Sequence, residues 1–122
     1  MITTKPLEWS IQHTPAAGVQ ATITRAASAG VKHVATAISV VLVGGAGGET
    51  GPIYVYLRDG ASGLGTILWG ATLRAPIADS VPISLTGLNI PGTAGNAMTL
   101  EFAFASPATT LESVALTGYD TT

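Results

Sequence analysis

Apolar and polar residues alternate along most of this chain. In residues 51–76, GPIYVYLRDGASGLGTILWGATLRAP, Ile53, Val55 and Leu57 alternate with Tyr54, Tyr56 and Arg58. Further on, Ile67, Trp69, Ala71 and Leu73 alternate with Leu68, Gly70, Thr72 and Arg74. A period of two places each set on one face of a strand. The run Asp59-Gly60-Ala61-Ser62-Gly63 between them has turn composition, so the pair predicts a β-hairpin. Two tyrosines and a leucine on its second face leave that face half polar, as suits a surface that is also covered.

The same reading extends along the chain. ATITRAA at 21–27 and KHVATAISVVLV at 32–43 are strands separated by a turn at Ser28-Ala29-Gly30. The second is apolar or small on both sides, the pattern of a mid-sheet strand buried from both directions, within the fold or by assembly. VPISL at 81–85 carries Pro82, which confines it to an edge or a strand start. Leu88 and Ile90 point inward before Pro91-Gly92 turns the chain. AMTLEFAFAS at 97–106 sets Met98, Leu100, Phe102 and Phe104 toward a core and Thr99, Glu101, Ala103 and Ala105 toward solvent or a close neighbour. ESVALTGY at 112–119 closes the domain with Val114 and Leu116 inward.

No segment sustains a helical i, i+3, i+4 pattern, and Gly and Pro recur between the strands. The expectation is an all-β chain: a single antiparallel β-sandwich of seven to eight strands, jelly-roll-like or immunoglobulin-like, with an extended N-terminal arm. Its core comprises Val34, Ile38, Ile53, Val55, Leu57, Trp69, Leu73, Leu100, Phe102, Phe104, Val114 and Leu116. Residues 1–20 form the arm and 21–122 the sandwich, because Pro6, Pro15 and Ala16-Ala17-Gly18 interrupt the opening stretch. Within the arm, Leu7, Trp9 and Ile11 alternate with polar residues and need cover. They pack either as an edge strand of their own domain or on a neighbouring subunit by strand addition, and both remain open.

Composition changes the picture in one respect. Charged residues make up 10 % of the chain, against about 25 % in an ordinary soluble domain. With 47 % hydrophobic residues, mean hydropathy +0.46 and net charge −2, a free monomer would expose apolar surface of the kind that marks interfaces. A homo-oligomer follows, most simply a trimer. No apolar run reaches about 18 residues, so no membrane helix is expected, and residues 1–20 show no secretory h-region. Absence of cysteine removes disulfides and thiolate metal sites and fits a reducing compartment.

Candidate chemistry is sparse. His13 and His33 have no acidic residue at a spacing that predicts contact, and both read as surface or interface residues. The seven acids are scattered, without a paired-carboxylate spacing. Asp59-Gly60 with Glu49 could suggest calcium, but the turn role of Asp-Gly explains it. The glycine cluster Gly44–Gly48 lacks the lysine, hydroxyl and helix of a phosphate loop. Five dispersed basic residues form no nucleic-acid stripe. The expectation is therefore no enzyme, no metal and no cofactor. Tyr54, Tyr56 and Arg58 share a strand face that suits a protein contact, with Leu7, Trp9 and Ile11 as the arm's contacts.

Charge-poor, cysteine-free strands such as RDGASGLGTILWGATL and SLTGLNIPGTAGNAMTLEFAFA, preceded by a short apolar arm, resemble the capsid decoration (cement) proteins of tailed bacteriophages. The likeness runs from Ala21 onward and carries over no functional residue. It implies a β-sandwich or jelly roll that assembles, often as a trimer, on the capsid exterior, contacts the major capsid protein and is made in the host cytoplasm. A different class stays open: a carbohydrate- or host-surface-binding sandwich, such as a tail-fibre or adhesin domain, using Tyr54, Tyr56 and Gly44–Gly48.

Overall fold

The computed structural model describes residues 7–44, 52–73, 80–105 and 110–122. The glycine cluster from Gly45 onward, and Lys5, Glu49, Arg74 and Asp79, lie outside them. Among the described residues nine strands follow in order: β1 (Leu7–His13), β2 (Thr22–Arg25), β3 (Lys32–Val43), β4 (Ile53–Asp59), β5 (Thr66–Leu73), β6 (Ser80–Leu85), β7 (Ile90–Pro91), β8 (Met98–Phe102) and β9 (Leu111–Thr121). Two antiparallel sheets face each other. One has the order β1-β9-β3-β6, with β7 extending the β6 edge along β3; the other has the order β2-β8-β4-β5.

Successive strands lie in opposite sheets at β1–β2, β2–β3, β3–β4, β5–β6, β7–β8 and β8–β9, and β4–β5 is a hairpin within one sheet. This wrapping is the connectivity of a jelly roll. An immunoglobulin sandwich instead keeps several sequential strands paired within each sheet.

The core lies between the sheets. Val40, Leu42, Val114 and Leu116 from one side meet Ile53, Val55, Leu57, Met98, Leu100 and Phe102 from the other, all fully buried. Strand β3 is central in its sheet, as its sequence required; its outer face is covered near its start, where Val34 is buried, and open further along, where Ser39 and Val43 are exposed. Pro82 and Pro91 occupy the edge opposite β1, where a missing N–H costs nothing in the ladder.

Residues 7–13 do not extend away as an arm. They pair along their full length with β9, from Leu7 against Asp120 to His13 against Val114, so the pairing is within the chain's own sheet. Phe104 leaves the expected core: β8 ends at Phe102, the two-residue alternation ends with it, and Phe104 is 47 % exposed. Trp69 points inward but is only partly buried, because β5 is a sheet edge with one open flank. Ile67 changes face. A bulge between Leu57 and Arg58 and their partners pairs Leu57 with Trp69 but Arg58 with Ile67, moving Ile67 to the outer face.

Candidate functional site

Two groups of polar and aromatic side chains stand out. The first lies on the outer face of the four-stranded sheet. Tyr54, Tyr56 and Arg58 project from β4 as their alternation predicted, and the tyrosine rings lie parallel, at 4° with centroids 6.2 Å apart. The Arg58 guanidinium carbon is 5.1 Å from the Tyr56 ring centroid, a cation–π contact. Tyr56 faces Gly70 across the strand pair, where an added Cβ would lie 3.1 Å from the tyrosine ring. The glycine leaves the ring room to settle on the sheet.

Glu101 completes this group, although its outward register suggested solvent. Together with Thr99 it is buried, because the β4–β5 loop folds back over the sheet. Arg58 Nε donates to Glu101 Oε1 at 2.9 Å and the Gly63 N–H to the same oxygen at 2.8 Å. The Ser62 hydroxyl and, at 3.2 Å, the Thr22 hydroxyl donate to Oε2. Burial pulls the Glu101 carboxyl up, but these donors outweigh it and hold it below the ordinary glutamate range. The same loop is fixed at its base by Asp59, which accepts from the Thr93 N–H at 3.0 Å and its hydroxyl at 2.5 Å. Burial raises Asp59 as well, and the Thr93 and Asn96 donors reverse the direction. The Asp59 carboxylate is thus occupied as a loop tie.

The second group joins four strands at one end of the sandwich. His33 and Asp120 are direct partners across β3 and β9. His33 Nδ1 lies 2.6 Å from Asp120 Oδ1, and Nε2 lies 2.9 Å from the Ala26 carbonyl oxygen. Both ring nitrogens thus lie within hydrogen-bond distance of an oxygen of the same chain. The Trp9 indole N–H also donates to Asp120 Oδ1, at 2.7 Å, and Arg25 Nη2 donates to Oδ2 at 2.7 Å. Arg25 lies 5.4 Å from the Trp9 ring centroid, and the Trp9 and His33 rings meet edge-on at 6.1 Å. Burial raises the Asp120 carboxyl, but Arg25, His33 and Trp9 outweigh it and hold it below the ordinary aspartate range. Gly118 makes the arrangement possible: an added Cβ there would lie 2.6 Å from the Trp9 ring.

Of the residues singled out by sequence, Tyr54, Tyr56 and Arg58 come together on one face. Trp9 is buried and Ile11 partly buried against the chain's own core, and Leu7 stands opposite Asp120 at the start of β1. Sequence reasoning missed the His33–Asp120 pair because 87 residues separate them, and no local spacing encodes a cross-strand partner that distant. The buried His33 is tied at both ring nitrogens to its own chain, one at Asp120 and one at the Ala26 carbonyl. His13 accepts at Nδ1 from the Thr22 N–H at 3.2 Å. Among the described residues no three His, Cys, Asp or Glu side chains converge as a metal site. These arrangements hold a scaffold in one shape. Compared with known proteins, the chain matches no protein-family model and no curated protein at a significant level.

Proposed function

We propose that this chain is a structural virion protein: a decoration or cement protein on the exterior of a bacteriophage capsid, acting through protein–protein contacts with itself and with the major capsid protein. In this reading it uses no catalysis, cofactor, nucleic acid or membrane. The observation that carries the proposal is where the charges go. Arg25, Arg58, Asp59, Glu101, Glu112 and Asp120 all bond within the chain. Among the described residues only Glu8 and Lys32 remain outside such bonds. The outer face of the five-stranded sheet presents the uncharged Ser10, Gln12, Ser39, Val41, Ala115 and Thr117, with Glu8 and Lys32 only at the end where β1 and β3 begin. A broad face with charge only at one end suits extended contact with another protein surface, where charged residues are depleted from the centre.

A second reading is favoured by the parallel Tyr54–Tyr56 pair, which resembles an aromatic platform for a sugar ring. Arg58 against Tyr56 argues for the protein contact instead, since it already occupies part of that ring's surroundings. Incubating the purified protein with undecorated phage shells, beside a glycan array, separates the two. Saturable shell binding that raises the shell's heat resistance supports cementing. Specific glycan binding lost in Tyr54→Ala, without shell affinity, overturns it.

A further inference from the structure

We propose that β5 is a strand-addition surface and that it pairs antiparallel with β5 of a second copy of this chain. The proposal deepens the assembly reading and rests on it for the expectation that copies meet. An exposed sheet edge presents a row of unpaired backbone donors and acceptors, and proteins normally blunt such edges with charge, proline or shortness. Three of the edges here carry those devices. Strand β2 is four residues long and ends in Arg25; β6 and β7 carry Pro82 and Pro91; β1 carries Glu8.

Strand β5 carries almost none of them. Its sequence TILWGATL has eight residues with neither charge nor proline, a span of about 26 Å. Among the described residues nothing pairs with its outer edge. The bulge at Leu68 affects only its start, and Trp69 to Leu73 stay in regular register with β4. Both flanks of this edge are uncharged and incompletely covered. On the inner side Leu68, Trp69 and Ala71 pack on the core while still partly open, as does Ile83 across the sandwich on β6. On the outer side Ile67 is 48 % exposed, and in the loop just before the strand Leu64 is 68 % exposed.

The occupant follows from the charge pattern. Antiparallel pairing of a strand with its own copy sets each side chain against one from the same strand, so any charge near the centre would meet a like charge. TILWGATL has none, and Thr, Ile and Trp suit a pleated surface. The operation is a two-fold and closes at a dimer. It joins two four-stranded sheets into one continuous sheet and brings the open flank of each Trp69 under cover. Addition to any other edge would meet Arg25, Glu8 or a proline lacking its N–H.

The test compares the full-length chain with Thr72→Lys and Thr72→Val by analytical ultracentrifugation, with backbone amide exchange read at low and high protein concentration. Thr72 is exposed on β5, so neither change disturbs the core, and circular dichroism checks that. The parent and Thr72→Val should dimerise, with β5 amides gaining protection as concentration rises. Thr72→Lys should associate at least about tenfold more weakly. A parent that stays monomeric to about millimolar concentration overturns the proposal. So does self-association that Thr72→Lys leaves intact while β5 amides stay unprotected, an outcome that leaves the assembly reading standing. Failure of shell binding with β5 dimerisation intact would sink the capsid reading instead.

Discussion

Asp120→Asn probes the network that ties four strands together. Asparagine keeps the shape of aspartate but replaces one acceptor oxygen by a donor NH2. In the native chain Oδ1 accepts from the Trp9 indole at 2.7 Å and faces His33 Nδ1 at 2.6 Å, while Oδ2 accepts from Arg25 at 2.7 Å. If the amide nitrogen takes the Oδ2 place, it faces the guanidinium. If it takes the Oδ1 place, it faces the indole N–H. Neither partner can accept, so every orientation sets a donor against a donor. One charge-assisted hydrogen bond, roughly 1.5–3 kcal/mol, is lost outright. Water recovers part of the Arg25 term, since that side chain is 30 % exposed, but little of the Trp9 or His33 term. The expected loss is about 2–4 kcal/mol, or a melting point lower by about 10 °C for a domain of this size. Urea unfolding at neutral pH with an unchanged m-value measures it. A pH series adds a sign. Asp120 ionises below the ordinary aspartate value in the fold, so its contribution is complete above that ordinary value and fades as pH falls through the lower folded one. The gap between parent and variant should therefore be flat at neutral pH and close in acid. A loss below about 0.5 kcal/mol, within the range of a neutral surface change, would refute the reasoning; so would a gap that persists unchanged in strong acid.

Glu101→Gln should cost about 1–3 kcal/mol in urea unfolding through weakened bonds to Arg58 and the 62–63 loop, and Glu101→Ala about 3–5 kcal/mol because Arg58 loses its buried partner. Since the Glu101 carboxyl also sits below its ordinary range, the parent should lose stability in acid more steeply than Glu101→Gln does. Phe104→Ser should change thermal stability by no more than about 0.5 kcal/mol, whereas Phe102→Ala, two residues earlier and fully buried, should cost about 3–5 kcal/mol.

Alternation by itself located the strands. The segments containing Ile53, Val55 and Leu57, or Val114 and Leu116, have the period of two that only a half-buried strand uses, and these five residues are fully buried. Pro82, lacking a ladder donor, confined its strand to an edge or a strand start, and the sheet order places it at an edge. The face of β4 holding Tyr54, Tyr56 and Arg58 was legible for the same local reason.

What alternation could not supply was anything set by residues distant in sequence. It put Glu101 on the outside of its sheet correctly, yet only the folded hairpin loop laid Ser62 and Gly63 over it and made it buried. It put Ile67 on the inner face, and a one-residue bulge, invisible in the residue pattern, reversed it. Trp9 and Ile11 announced a strand needing cover, but which edge covered them depended on β9, whose pairing begins more than a hundred residues away. Jelly-roll order, too, is a property of which strands meet. Side-chain period is a local consequence of backbone geometry, whereas pairing, register slips and buried polar networks are settled by long-range competition among edges that look alike in sequence.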